Sequence, residues 1–162
     1  HLNVRRQRQM CIRDRSKNRP SIESRYKFFY NSIALNNALL PNPSLLGVKS
    51  IGSYAYELDK SVLEEFIDTS IKLEKLYVVE DFDRSIKFTD GKLIIKFLES
   101  QNLEEFANNN SLELTSDFSA INTGVFKVQD FFQIEKTILN LQAQKNIKEI
   151  ELNTLNPQIQ KR

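Results

Sequence analysis

Asp90-Gly91-Lys92-Leu93-Ile94-Ile95-Lys96-Phe97-Leu98 is the stretch that decides how this chain folds. Asp-Gly is a favoured two-residue hairpin turn, because its central positions must take positive φ. On its far side the residues alternate. Leu93, Ile95 and Phe97 fall on one face and Lys92, Ile94 and Lys96 on the other, the period of a half-buried strand. On its near side Ser85-Ile86-Lys87-Phe88 alternates too, so the dipeptide is expected to fold 86–89 back against 92–98.

Toward the C-terminus the pattern stays legible. Asn102 with Glu105 has the spacing of a helix N-cap pair ahead of Leu103, Phe106 and Ala107, and Asn108-Asn109-Asn110 stops that short helix. Leu112-Glu-Leu-Thr115 reads as a strand, 116–123 as a loop, and Gly124-Val-Phe-Lys-Val128 as a second strand. Asp130, with Gln133 at the reciprocal position, caps a longer helix whose buried stripe is Phe131, Ile134, Ile138 and Leu141. Ile147-Lys-Glu-Ile-Glu-Leu152 is the last strand. The order β-α-β-β-α-β predicts an α+β fold: a ferredoxin-like antiparallel sheet with two helices on one face. The other face would stay open and present Ile94, Lys96, Val125 and Lys127. That arrangement serves many unrelated functions, so it implies none by itself.

Toward the N-terminus the pattern weakens. Ser61 and Glu64 have capping-box spacing before Leu63, Phe66, Ile67 and Ile71, one helical stripe, and Leu76-Tyr-Val-Val79 reads as a strand. From 26 to 53 there is little periodicity: Tyr26-Lys-Phe-Phe-Tyr30 is aromatic, and Pro41 and Pro43 discourage regular structure. Residues 26–85 are therefore a less regular helix/strand segment without a functional reading. Residues 1–25 hold eight basic groups against Asp14 and Glu23. Gln7-Arg-Gln-Met-Cys-Ile-Arg-Asp-Arg15 resembles a translated sequencing-adapter remnant, so residues 1–25 are read as a non-native arm and set aside. The organisation expected is arm 1–25, segment 26–85, domain 86–157, and tail 158–162 leading toward a further domain.

Composition narrows the chemistry. The 162 residues carry 23 basic and 21 acidic groups, one His, one Cys, one Met and no Trp. No stretch approaches the roughly 20 apolar residues that a membrane-spanning helix needs. One cysteine forms no internal disulfide, and no Cys/His cluster exists for structural zinc. The sole histidine is His1, which leaves no Ser-His-Asp or Cys-His unit. Glu80-Asp-Phe-Asp83 lacks the ligand-rich loop of an EF-hand, and Glu104 with Glu105 do not face each other on a helix. No phosphate loop or dinucleotide fingerprint is present. No catalytic residue, metal ligand or cofactor is expected.

Four short runs, in order, resemble the propeptide domain of subtilisin-like serine proteases of the fervidolysin type. Gly91-Lys-Leu-Ile-Ile-Lys-Phe97 is similar to that family's opening strand, and Leu103-Glu-Glu-Phe-Ala107 with Ser111-Leu-Glu-Leu114 to its short helix and following strand. Gly124-Val-Phe-Lys-Val128 is similar to its "Gly-Val-Tyr-Lys-Val" strand. The run 147–154 is similar to its "Val-Glu-Tyr-Ala-Glu-Pro-Asn-Tyr" ending, with Glu151 and Asn153 matching directly and Leu152 and Thr154 departing. The resemblance covers 90–157, under half of the chain. It implies an inhibitor and folding assistant of a catalytic domain in cis, in a secreted or periplasmic precursor, with this part a monomer and not itself an enzyme. The sheet face of Ile94, Lys96, Val125 and Lys127 would lie on the protease. Asn153, Thr154, Leu155 and Asn156 would run through its cleft as an added strand.

Two other classes fit the same pattern. An RNA-recognition module would use Phe97 and Phe126 on its strands, but 86–162 carries nine basic and ten acidic groups and lacks the Arg/Lys-Gly-Phe signature, so no nucleic-acid partner is expected. A regulatory or protein-interaction ferredoxin-like domain without a protease link is the alternative, and it would pair through sheet edges.

Overall fold

The structure, a computed structural model, describes residues 22–37, 40, 47–60, 62–65 and 75–157. Outside it lie residues 1–21 with Cys11, the cap Ser61, the stripe residues Phe66, Ile67 and Ile71, both prolines at 41 and 43, and the tail 158–162. The fold is α+β. Among the described residues one antiparallel sheet of eight strands has the order β2-β3-β1-β4-β5-β7-β6, with β8 paired to β5. The strands are β1 (Lys27–Asn36), β2 (Lys49–Ile51), β3 (Tyr54–Glu57), β4 (Leu76–Glu80), β5 (Ile86–Phe97), β6 (Leu112–Phe118), β7 (Thr123–Val128) and β8 (Ile147–Leu155). A four-residue helix, α1 (Ile22–Arg25), precedes β1, while α2 (Leu103–Asn109) and α3 (Ile134–Gln142) flank the β6–β7 hairpin in sequence.

β5 is the spine, and here one expectation is corrected. Asp90-Gly91 does not turn the chain back: β5 runs straight through it for 12 residues. The near half pairs with β4 (Val78 opposite Phe88, Glu80 opposite Ile86), and the far half pairs with β7 (Leu93 opposite Phe126, Ile94 opposite Val125). β8 accompanies both halves, with its register slipping between Thr89–Thr154 and Leu93–Leu152. The dipeptide makes a bulge there, and Gly91 sits at φ +85°. The positive φ that suits Asp-Gly to a turn suits it equally to a bulge. Side chains replace the interrupted ladder: Thr89 Oγ1 donates to the Asn153 carbonyl (2.7 Å) and accepts from Gly91 N (3.0 Å), and Asp90 Oδ1 accepts from Lys92 N (3.0 Å).

The far half gives the strand order β8-β5-β7-β6, antiparallel throughout. Leu93, Ile95 and Phe97 share one core with Leu103, Phe106 and Ala107 of α2 and Ile134, Ile138 and Leu141 of α3, so both helices cover the same face. Phe97, Phe106 and Phe126 pack edge-on at its centre, with centroids 4.8–6.4 Å apart. Asn102 caps α2 through Oδ1, which accepts from Glu105 N, and Asp130 accepts from Phe132 N. A 3-10 turn, Phe131–Gln133, intervenes before α3 begins at Ile134. The expected loop at 116–123 is shorter than anticipated, because β6 extends to Phe118 and β7 starts at Thr123.

The near half is built differently. β1 is buried at four consecutive positions, Ser32 to Leu35, because both of its faces are covered. Ile33 and Leu35 pack with Leu40, Ala55 and Leu63, whereas Ala34 packs with Tyr56, Val78 and Phe88. The β1–β4 register slips between Phe29 and Ala34, and buried Ser32 repairs it: its Oγ donates to the Phe29 carbonyl and accepts from Val78 N at 2.8 Å. Three strand steps separate β3 from β5, which in a flat sheet is about 14 Å. Yet the Tyr54 and Tyr56 rings lie 5.3 and 5.7 Å from the Phe88 ring. The sheet therefore curls, carrying the β2–β3 turn over the end of β8. Gly52 (φ +58°) sits so close to Pro157 that a Cβ there would come 2.3 Å from the Pro157 carbonyl oxygen.

Aromatic contacts and one hydrogen bond lock the halves together on the helix side, and an ion cluster holds the near half itself. Tyr77 stacks on Phe131 at 3.8 Å, and Phe28 and Tyr30 approach the same ring at 6.0 and 5.6 Å. The Tyr30 hydroxyl donates to Glu135 of α3. Asp81, 3 % exposed, is gripped by Arg25 through two bonds (2.7 and 3.0 Å) and also by Lys87. Burial alone would push its carboxyl up, but the two cations hold it at about 2.

Candidate functional site

The helix-free face of the far half is the candidate interface. Strand alternation that aims Leu93, Ile95 and Phe97 at the helices aims Lys92, Ile94 and Lys96 away from them. Register brings the residues singled out in the sequence side by side: Ile94 lies opposite Val125 on β7 and Glu151 on β8, Lys96 opposite Thr123 and Glu149, and Lys127 opposite Lys92 and Glu113. Ile94 and Val125 are half-buried, while Lys96 and Lys127 are exposed. An apolar pair thus sits at the centre of a charged ring of both signs.

The ring's electrostatics are soft. Lys96 Nζ is 3.6 Å from Glu149, with both side chains nearly half exposed, a pair worth at most about 1 kcal/mol. Burial, and after it the hydrogen bond with neighbouring Glu149, pushes the Glu151 carboxyl up. Such a ring yields to a partner at small cost, unlike the Arg25–Asp81–Lys87 cluster, whose charges are already spent on one another.

The four expected cleft residues are placed otherwise than a free tail. Asn153, Thr154 and Leu155 belong to β8: Thr154 pairs with Thr89, Leu155 pairs with Phe88, and Leu155 packs beside Tyr54 and Phe88 in the curled core. Asn156 follows directly, half-buried, and Pro157 is buried against Gly52. The structure also joins two features that the sequence leaves separate. Asn153 Nδ2 donates to both oxygens of Asp90 (3.2 and 3.3 Å), tying β8 to the bulge 63 residues earlier. Beside this contact a shallow cleft of about 240 Å³ opens between Tyr54, Leu76, Phe88, Asp90, Asn153 and Leu155. Neither the pairing nor the cleft had a sequence signal, since each needs the sheet to bring distant residues together.

Among the described residues no group of His, Cys, Asp or Glu is placed to hold a metal ion, and no helix is long and apolar enough to cross a membrane. Compared with known proteins, the chain matches no family model, no curated protein and no solved structure.

Proposed function

We propose that residues 86–157 form a ferredoxin-like domain of propeptide type, which docks its helix-free face on a subtilisin-like catalytic domain. Docking on the native protease but not on its unfolded chain stabilises the folded enzyme by mass action, so the same contact makes the domain a folding assistant. The observation that carries the reading is the cross-strand pair Ile94–Val125, half-buried and ringed by Lys92, Lys96, Lys127, Glu113 and Glu151. An apolar centre with a polar rim is the anatomy of a protein interface. The strand order β8-β5-β7-β6 and the two helices on the opposite face support the domain type. In this reading the chain binds an enzyme without being one, needs no cofactor, and belongs to an exported precursor.

The inhibitory half of the reading places different demands on the chain. With residues 153–155 committed to β8, the segment entering a protease cleft starts at Asn156, and Pro157 must leave Gly52 for it to do so. That commitment favours a second reading, an interaction domain that docks through the same face and has no product-like tail.

Refolding tests the first reading. A denatured subtilisin-like catalytic domain is diluted with and without the full chain, and recovered peptidase activity is measured once the chain has been digested away. The expected result is a higher yield with the chain and none of the gain with Ile94→Glu. Unchanged yield would overturn the propeptide reading. A raised yield without inhibition of the native protease would keep docking and discard the cleft-binding tail.

A further inference from the structure

The cleft at the bulge has a chemistry of its own. The half-buried Tyr54 ring forms its aromatic wall, backed by the fully buried Phe88 ring 5.3 Å away, and Leu76 and Leu155 complete the apolar lining. Among the described residues Asp90 is its one charged lining residue. The Asp90 carboxylate accepts from Lys92 N and from Asn153 Nδ2, and among the described residues its nearest cation, Lys92 Nζ, stays 3.9 Å away. A carboxylate has about four acceptor sites, so capacity remains for a charged donor. The volume, about 240 Å³, falls below the roughly 300–1,000 Å³ typical of small-molecule pockets and suits one long side chain.

We propose that this cleft receives an arginine side chain of a partner protein, its stem along Leu76 and Leu155, its guanidinium plane against the half-buried Tyr54 ring and its N–H fork on Asp90. An aromatic wall beside a carboxylate favours arginine over lysine, because guanidinium stacks on rings and bonds carboxylate with two donors at once. An uncharged side chain of the same length would fill the space but leave Asp90 unanswered. Lys92 is the built-in competitor, close enough to partly neutralise Asp90 without bonding it. The inference stands whether or not the partner is a protease.

The test is a titration of the full, isotope-labelled chain with N-acetyl-arginine amide, followed by backbone amide NMR shifts, with the lysine and norleucine amides in parallel. Saturable shifts are expected at Asp90, Gly91, Asn153 and Thr154, strongest for arginine, weaker for lysine and absent for norleucine. Asp90→Asn should weaken arginine binding about tenfold, the loss of one charge-assisted bond pair. Lys92→Gln should strengthen it about twofold by removing the competing cation while leaving the bulge intact. Equal shifts with norleucine, or shifts that follow every exposed carboxylate alike, would overturn the proposal. So would a Lys92→Gln protein that binds arginine no better, a result that does not depend on how Asp90→Asn folds. The refolding experiment reads a different variant, Ile94→Glu, and a different partner, so either proposal can fail while the other stands.

Discussion

The two halves of β5 use one strand for two purposes. Before Gly91 it belongs to a sheet that curls, with Phe88 enclosed by Tyr54, Tyr56 and Leu155 on the face the helices leave free. After Gly91 it belongs to an open sheet, where the same face carries half-buried Ile94 beside Val125 and is covered by nothing among the described residues. The near half spends its second face on its own core, and the far half leaves it available. That difference teaches where to look for a partner, because only an unspent face has binding free energy to give.

The comparison breaks most easily at Phe88. Phe88→Ala should cost about 3–5 kcal/mol, the usual range for a fully buried aromatic. Hydrogen exchange should show β1–β4 losing protection before α2 and α3 do; simultaneous loss would mean that the halves are one cooperative unit. Acid sharpens the same contrast. Asp81 titrates at about 2 when folded against 3.8 as its ordinary value, so its ion cluster contributes above pH 4 and is lost as pH falls through 2. That amounts to about 2 kcal/mol, and urea midpoints between pH 5 and pH 2 should fall accordingly and flatten in Asp81→Asn. At the junction, Gly91→Ala should cost about 1–2 kcal/mol from its positive φ alone, since a Cβ would meet only Phe131 at an ordinary 3.5 Å. Smallest is the far half's helix cap: Asn102→Ala should cost about 1 kcal/mol and leave the near half unchanged in thermal melts.

The same contrast explains what the sequence could say. The far half faces water on one side, so β5, β7 and β8 alternate. There α2 carries a stripe and a cap that state its start, and α3 carries a stripe, although its Asp130 cap opens the 3-10 turn before it. β1 alternates in nothing, because Ile33, Ala34 and Leu35 are all buried between two covered faces. β2 and β3 are three and four residues long and exist by pairing. Asp90-Gly91 was ambiguous in principle: a positive φ marks a turn and a bulge alike, and only β4, waiting to pair with 86–89, decides between them. Ile94, Lys96, Val125 and Lys127 were legible as one face because alternation and order suffice to align them. That residues 153–155 are held in β8 was not, since Asp90 and Thr89 lie more than 60 residues away.

Hydrogen exchange of the full chain, alone and mixed with a subtilisin-like catalytic domain whose nucleophilic serine is replaced by alanine, tests the central claim most directly. The account predicts added protection at Ile94, Lys96, Val125 and Lys127, with β1 to β3 unchanged. Protection that is absent, or confined to the curled half, would contradict it.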